Sequence, residues 1–392
     1  MKHLVLFAAA LAALLPMDSR AQGAACVPVG QWVAPGSAAP AAPVVAAEVI
    51  ARAARQSVVL LGERHDSAED HRWQLHVLAA LHAQRPNLVI ALEMFPRRVQ
   101  PALDRWVRGE LGEAEFLEAA EWRSVWDFDP ALYWPIFHFA RMQRVPMVAA
   151  NVDRGLIRDV GQKGLDGVPV ERREGVGRPA AVPARYLDTL AASYVEHQPA
   201  DKRGPKPTLE DAAFRRFVEA QALWDRAMAE AIAAALRRDP QALVVGIMGR
   251  GHVEHGHGVP HQLRDLGVAN VATLLPWDRE APCSALVAGL ADAVFGVATP
   301  PAKAGPPRPR LGVMLEQTAE GVRIQRVEKG SLAESTGIRE GDVVVEIAGR
   351  AAKQSADVAD AVRRQAPGTW LPMVVRRAGE RLELVARFPA TP

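Results

Sequence analysis

The sequence predicts an α/β fold with a mostly parallel central sheet and flanking helices, followed by a small α+β unit. Three observations predict it. Four apolar, β-rich runs each end in a polar cluster: Val58–Leu61 leads into Gly62-Glu63-Arg64-His65-Asp66, Leu88–Leu92 into Glu93-Met94-Phe95-Pro96, Val145–Ala150 into Asn151-Val152-Asp153-Arg154, and Leu243–Met248 into Gly249-Arg250-Gly251-His252-Val253. Helical patterns lie between these runs, as they do between buried parallel strands. A Pro/Ala/Gly stretch, Pro300–Pro309, reads as a linker and sets off a tail with its own pattern.

In chain order, Lys2 and His3 precede the apolar run Leu4–Leu15, and Ser19-Arg20-Ala21 fits a small-x-small cleavage site, so residues 1–21 read as a signal peptide. The run is too short to span a bilayer as a permanent helix. The mature chain is expected to begin near Gln22 in an exported, periplasmic setting that permits disulfides. Cys26 and Cys283 suggest such a bond, tying together the two ends of the first domain. Cys26 as a lipid-anchored first residue is the alternative, although Gly23-Ala24-Ala25 lacks the Leu-like residue of a lipoprotein signal. The length of 392 residues predicts two domains. A net charge of +2, with no basic run or aromatic ladder, gives no reason to expect nucleic acid as a partner.

The first domain is assigned to residues 22–299, with Gly30–Pro43 as its lead-in. Asp70–Ala83 is predicted as the first crossover helix, with Trp73, Val77, Leu78 and Leu81 apolar. Phe214–Arg238 is predicted as a long helix with Phe217, Gln221, Trp224, Asp225, Met228 and Ile232 on one face. Between them, Gly155–Leu209 has weak periodicity. It holds a modest helical pattern over Val182–Tyr194 and a predicted mobile loop over Glu196–Pro207. Long irregular insertions of this kind are lids, binding loops or disordered segments.

Ligands of open parallel sheets bind beyond the carboxyl ends of the strands. Glu63, His65, Glu93, Asn151 and His252 are therefore expected to meet at one edge. His71 and Gln74, three apart on a helix, share a face that can join them, and the chemistry suggested is a metal, a haem or an acid–base pair. A carboxylate ending an apolar strand needs a partner; for Glu93 the simplest are Arg97, Arg98 or Arg154. Asn151 or Asp153 is expected to cap the next helix. Gln221 and Asp225 interrupt an apolar face and need internal partners. Gly249 and Gly251 around His252 let the backbone turn tightly and approach a ligand. His255, His257 and His261 follow at a spacing that matches no zinc helix, and read as a solvent-facing loop.

The tail has strand patterns at Leu311-Gly312-Val313 and Val322–Val327, a helix start at Gly330-Ser331-Leu332-Ala333, and a turn Gly337-Ile338-Arg339-Glu340-Gly341-Asp342 into Val343–Ile347. A helix over Val358–Arg364 and two short strands complete it. Residues 310–389 resemble a PDZ domain of the type attached to exported bacterial proteases. The resemblance implies a groove between Leu311–Leu315 and Val358–Arg364 that adds a peptide strand, and so a protein or peptide partner.

The first domain resembles the ChaN family of haem-binding lipoproteins, in the group that includes Tiki, TraB and erythromycin esterase proteins. The resemblance rests on Leu61-Gly62-Glu63-Arg64-His65-Asp66, His71-Arg72-Trp73-Gln74, Ala91-Leu92-Glu93-Met94-Phe95, the segment Gln221–Ala229, Gly249-Arg250-Gly251-His252-Val253 and Gly258-Val259-Pro260. It implies an α/β fold, haem binding in iron acquisition alongside outer-membrane uptake machinery, and a haem shared between two subunits, hence a homodimer. It also implies tyrosine as the iron ligand, from Tyr133, Tyr186 or Tyr194. Tyr133 is expected to be packed, ahead of a strand; the other two sit in the insertion, and Tyr194, three residues before His197, is preferred. The expected cofactor-binding set is Tyr194, Tyr186, His65, His71, Gln74, Gln221 and His252. No Cys-x-x-Cys-His motif occurs, so the haem is expected to be non-covalent. This first reading is not enzymatic. The alternative is a metal-dependent protease or esterase with Glu63, Glu93 and His252 catalytic and Glu63, His65 and His252 on a divalent metal. A third is a non-catalytic interaction protein that reads peptides through its PDZ domain.

Overall fold

The structure, a computed structural model, describes residues 26–36, 42–196, 198, 204–299 and 309–390. The expected signal peptide, half of the loop Glu196–Pro207 and the linker as far as residue 308 lie outside the described residues. The chain divides into two compact units, residues 1–300 and 301–392.

The first unit contains β1 (Trp32–Val33), β2 (Pro43–Val44), β3 (Val58–Glu63), β4 (Leu88–Pro96), β5 (Met147–Asn151), β6 (Leu243–Gly249), β7 (Val271–Asp278) and β8 (Ala293–Val297). Its helices are α1 (Ala46–Ala54), α2 (Ala68–Gln84), α3 (Gln100–Arg108), α4 (Glu113–Ala119), α5 (Trp122–Val125), α6 (Trp134–Gln143), α7 (Arg154–Lys163), α8 (Ala184–Glu196), α9 (Ala212–Arg238) and α10 (Val259–Asp265). The sheet order is β2-β1-β8-β7-β3-β6-β4-β5. The strands from β8 to β5 are parallel, and β1 and β2 add an antiparallel edge.

Every residue of β3 and β6 is buried, because helices cover both faces of the sheet. Val59, Leu61, Ile90, Leu92, Val245 and Ile247 pack in one core with Trp73 and Leu78 of α2 and Phe137 of α6. Their neighbours Val58, Leu60, Ala91, Val244 and Met248 pack in a second core with Met228 and Ile232 of α9. Ser67 caps α2 by accepting the Asp70 N–H, and Asp211 caps α9 by accepting the N–H groups of Ala213 and Phe214.

Two departures from expectation position the site. The first is in β4, which continues past Leu92 to Pro96. Its register with β5 slips there: Leu92 pairs with Ala149, but Pro96 pairs with Asn151. This bulge breaks the alternation, so Met94 and Phe95 fall in the same core cluster while Glu93 serves the other face. The second is that Tyr133 precedes α6 rather than a strand, with Pro135 in the first turn where a missing N–H is tolerated.

Cys26 and Cys283 form a disulfide with a Cα–Cα distance of 5.6 Å.

The second unit has β9 (Val313–Thr318), β10 (Gly321–Val327), β11 (Val343–Ile347), β12 (Arg350–Ala351), β13 (Trp370–Arg377) and β14 (Glu380–Arg387), with helices α11 (Leu332–Thr336) and α12 (Ser355–Arg363). All of its strand pairs are antiparallel, in the order β14-β13-β11-β10-β9 with β12 on β11. β13 and β14 are long, eight residues each, rather than the short strands expected. Buried Asp342 in the Gly-Asp turn is held by two bonds from Arg377 and by the Arg339 N–H. No helix among the described residues is long and apolar enough to cross a membrane.

Candidate functional site

The strand ends bring Glu63, His65, Glu93, Asn151 and His252 together, and the site straddles the end of the sheet. Glu63 ends β3 on the α2 side, with a buried carboxylate. Tyr133 Oη donates to its Oε1 at 3.0 Å, and Gln74 Nε2 donates to its Oε2 at 2.8 Å. His65 Nδ1 lies 2.9 Å from Oε1 and His71 Nδ1 3.3 Å from Oε2. His71 Nε2 is 3.1 Å from the His65 carbonyl, to which it donates. Trp126 Nε1 donates to Tyr133 Oη at 3.0 Å, and the Trp126 ring packs 4.7 Å from that of His65.

Glu93 lies on the α9 side. Its Oε2 accepts the Gly249 N–H at 2.6 Å, and its Oε1 lies 3.5 Å from His252 Nε2. The other ring nitrogen of His252 meets Asp225 Oδ1 at 2.6 Å, and Tyr186 Oη donates to Asp225 Oδ2 at 3.1 Å. Gln221 Nε2 lies 3.2 Å from His252 Nδ1. Asn151 Nδ2 braces the bulge by donating to the Glu93 carbonyl at 2.8 Å.

The two clusters meet across Gly249. A Cβ there would sit 3.0 Å from His65 Cε1 and 3.1 Å from its Nε2, so a side chain would crowd the ring. This backbone approach is what the Gly-x-Gly-His pattern provides.

Electrostatics follow from this packing. Burial disfavours the charge on His252, but Glu93 and Asp225 outweigh it and lift the ring to about 10. Burial also opposes ionisation of Glu93, yet His252, His65 and the Gly249 N–H hold it below the usual carboxylate range. Asp225 is pushed up by burial, with His252 acting against that. His65 loses charge stability by burial but regains more from Glu63 and Glu93, and is raised. Tyr133 and Tyr186 are raised far above an ordinary phenol by burial and then by the adjacent Glu63 and Asp225.

Several expectations are corrected. Glu93 is not paired with arginine: Arg97 bonds the carbonyls of Glu174 and Ala227, Arg98 bonds Glu121 and Asp153, and Arg154 bonds the Trp126 carbonyl. The reason is the alternation along β4: Ala91 faces the α9 side and Leu92 the other, so Glu93 falls on the His252 side. Neither Asn151 nor Asp153 caps α7 through its side chain: Asp153 stands at the cap position but accepts from Arg98. His255, His257 and His261 are half-buried. The first two stack 5.4 Å apart, and His261 Nε2 donates to the Ala181 carbonyl ahead of α8. Among the described residues no three His, Cys, Asp or Glu side chains converge to hold a metal ion. Glu63, His65 and His252, the set named for a divalent metal, are divided between the two faces, with Glu63 and the Nδ1 atoms of both histidines engaged within their own clusters.

The three tyrosines separate clearly. Tyr186 joins the His252 cluster, and Tyr133 joins the Glu63 cluster, fully buried. Only its place among aromatic residues, Trp122 to Trp134, hinted at that role. Tyr194 lies eight positions beyond Tyr186 on α8, about 12 Å of helix rise. It packs against Phe214 and Phe217, and is half-buried. No hydrogen bond holds its hydroxyl among the described residues.

The fold and site define a doubly covered parallel α/β protein with two histidine–carboxylate clusters at the strand ends, joined to a second, antiparallel β-rich unit. Residues 49–263 match the family described as "Haem-binding uptake, Tiki superfamily, ChaN", and this chain belongs to that family. Residues 309–386 match the PDZ domain. Among solved structures, one described as cofacial heme binding to ChaN of Campylobacter jejuni is similar in fold, with a TM-score of 0.50 and 18% identity over 68% of this chain and 98% of that one. A curated relative, serine protease HTRA1 of Xenopus tropicalis, is 34% identical over 68 residues, 17% of this chain. The chain spans 14% of that relative's length. The HtrA3 PDZ domain bound to a phage-derived ligand matches at 24% identity over 20% of this chain and 82% of that one, with a TM-score of 0.18.

Proposed function

We propose that this protein binds haem non-covalently and handles it in iron acquisition, with Tyr194 as the iron ligand. The observation that carries the reading is membership of the haem-binding-uptake family across residues 49–263. The tyrosines support the choice of ligand. Ferric iron takes a phenolate, and burial beside Glu63 and Asp225 holds the protons on Tyr133 and Tyr186. Tyr194 alone of the three carries no carboxylate partner among the described residues. The remaining cofactor-binding set, His65, His71, Gln74, Gln221, Tyr186 and His252, orders the strand ends, and bound haem would supply the ligation and redox chemistry of its iron.

Export to the periplasm is part of the proposal, supported by the signal-like residues 1–21 and the Cys26–Cys283 disulfide. So are a homodimer sharing haem, and transfer to or from outer-membrane uptake machinery. The PDZ unit would recruit a protein partner by adding its peptide to the outer edge of β9, which ends the sheet order.

A second reading, hydrolysis, has one favouring observation: the Asp225–His252–Glu93 chain aligns a charged imidazole between two buried carboxylates. Haemin titration of the mature protein, with metal analysis of the same sample, separates the two. Saturation near one haem per chain, with the Soret band shifted by Tyr194→Phe and retained in Tyr186→Phe, is expected. No Soret shift, with peptide or ester hydrolysis abolished by Glu93→Gln, would transfer the function to the second reading.

A further inference from the structure

A cleft of about 310 Å³ opens at the carboxyl ends of β4 and β5, beside both clusters, lined among others by Met94, Trp126, Val152, Arg154 and Trp224. Its volume is at the lower end of the range for small-molecule pockets. Of the two guanidinium groups in its wall, one has no carboxylate partner among the described residues. Arg98, which also lines the cleft, is neutralised by Glu121 and Asp153. Arg154 is not. Its guanidinium donates to the Trp126 carbonyl at 3.3 Å, and among the described residues no carboxylate pairs with it. The half-buried Trp224 ring lies 5.1 Å from that of His252. A guanidinium fork matches a carboxylate. Of the two indoles in the lining, Trp126 is buried and Trp224 is half-buried, so the Trp224 ring offers the flat face suited to a planar body.

We infer that this cleft binds a flat molecule through a carboxylate, with Arg154 as its charge partner and the Trp224 ring as its apolar wall. Two sources share that chemistry, the propionate edge of a porphyrin and a free aromatic carboxylate. In the first case the inference deepens the haem reading, and in the second it stands without it.

The test uses the full chain and three probes: iron-free protoporphyrin, its dimethyl ester, and naphthoate. Omitting iron takes Tyr194 ligation out of the measurement, so failure here is distinguishable from failure of the haem reading, which haemin reports. With a porphyrin in the cleft, the diacid binds at least about tenfold more tightly than the ester, the scale of one charge-assisted bond. Arg154→Met erases that preference and Arg154→Lys restores part of it. With a small ligand in the cleft, naphthoate binding depends on Arg154 while the porphyrin preference is absent. Arg154 is exposed, so its replacement leaves the core intact. Trp224→Ala, which removes the apolar wall, weakens whichever probe binds. If Arg154→Met leaves both the diacid preference and naphthoate binding unchanged, the inference is overturned.

Discussion

Gly249 is the residue on which the two clusters depend. Its missing side chain lets the His65 ring lie against β6, and its N–H fixes Glu93. Gly249→Ala is expected to cost about 1–3 kcal/mol through overpacking. It should also draw His65 away from Glu63, so that its titration falls back toward an ordinary imidazole. Thermal melts and an NMR titration of His65 check this, and an unchanged titration would sink it. His252 gives a pH prediction. A group whose folded pKa is raised contributes stability that is full below its unfolded value and is lost as pH rises through the folded one. For His252 those values are 6.5 and about 10, so stability falls between them on the alkaline side. His252→Gln should flatten that part of the melting-temperature profile, and a variant with the wild-type slope would refute the pairing. At this scale the sequence was partly legible. Glu63, Glu93 and His252 stood out because charge at the end of an apolar strand is expensive. Tyr133 did not stand out, because an aromatic residue outside any regular period looks like core, and its hydroxyl finds Glu63 only when α6 folds against α2.

Among the elements, α2 shows how a cap becomes part of the site. Asp70 accepts the Arg64 N–H at 2.8 Å and the Ser67 hydroxyl at 2.7 Å, while Ser67 accepts the Asp70 N–H. This ties the turn carrying His65 to the helix carrying His71 and Gln74. Ser67→Ala is expected to cost about 1 kcal/mol, as a lost cap does. Asp70→Ala should cost about 2–3 kcal/mol, since it leaves buried donors unpaired. Urea denaturation of the two variants orders them, and the reverse order would show that the cap, not the Arg64 turn, dominates. Element type was readable because period and length are local: α9 begins two residues before the predicted Phe214 and ends at Arg238 as predicted. The β4 bulge was not readable. It is set by the register with β5, a contact about fifty residues away in sequence.

Across the whole molecule, the two units have separate hydrophobic cores. The core of the second draws only on residues between Leu311 and Phe388, and the disulfide lies wholly within the first. Calorimetry is therefore expected to resolve two unfolding transitions. Replacing both cysteines by serine should lower only the transition of the first unit. With a sequence separation of 257 residues, the chain-entropy model gives about 5 kcal/mol for that bond. A single cooperative transition, or a shift of both, would contradict this independence.

The sequence by itself determined that apolar runs would form a covered parallel sheet, that their polar ends would share one edge, and that a distinct unit would follow the Pro-rich stretch. These are properties of local pattern, and chain order carries them. Only the tertiary structure decided which groups pair: Glu93 with His252 instead of an arginine, Asp225 with Tyr186, and Glu63 with Tyr133. Those choices depend on which helix and which loop lie over each face of the sheet at the strand ends, and such distances do not exist until the chain has folded.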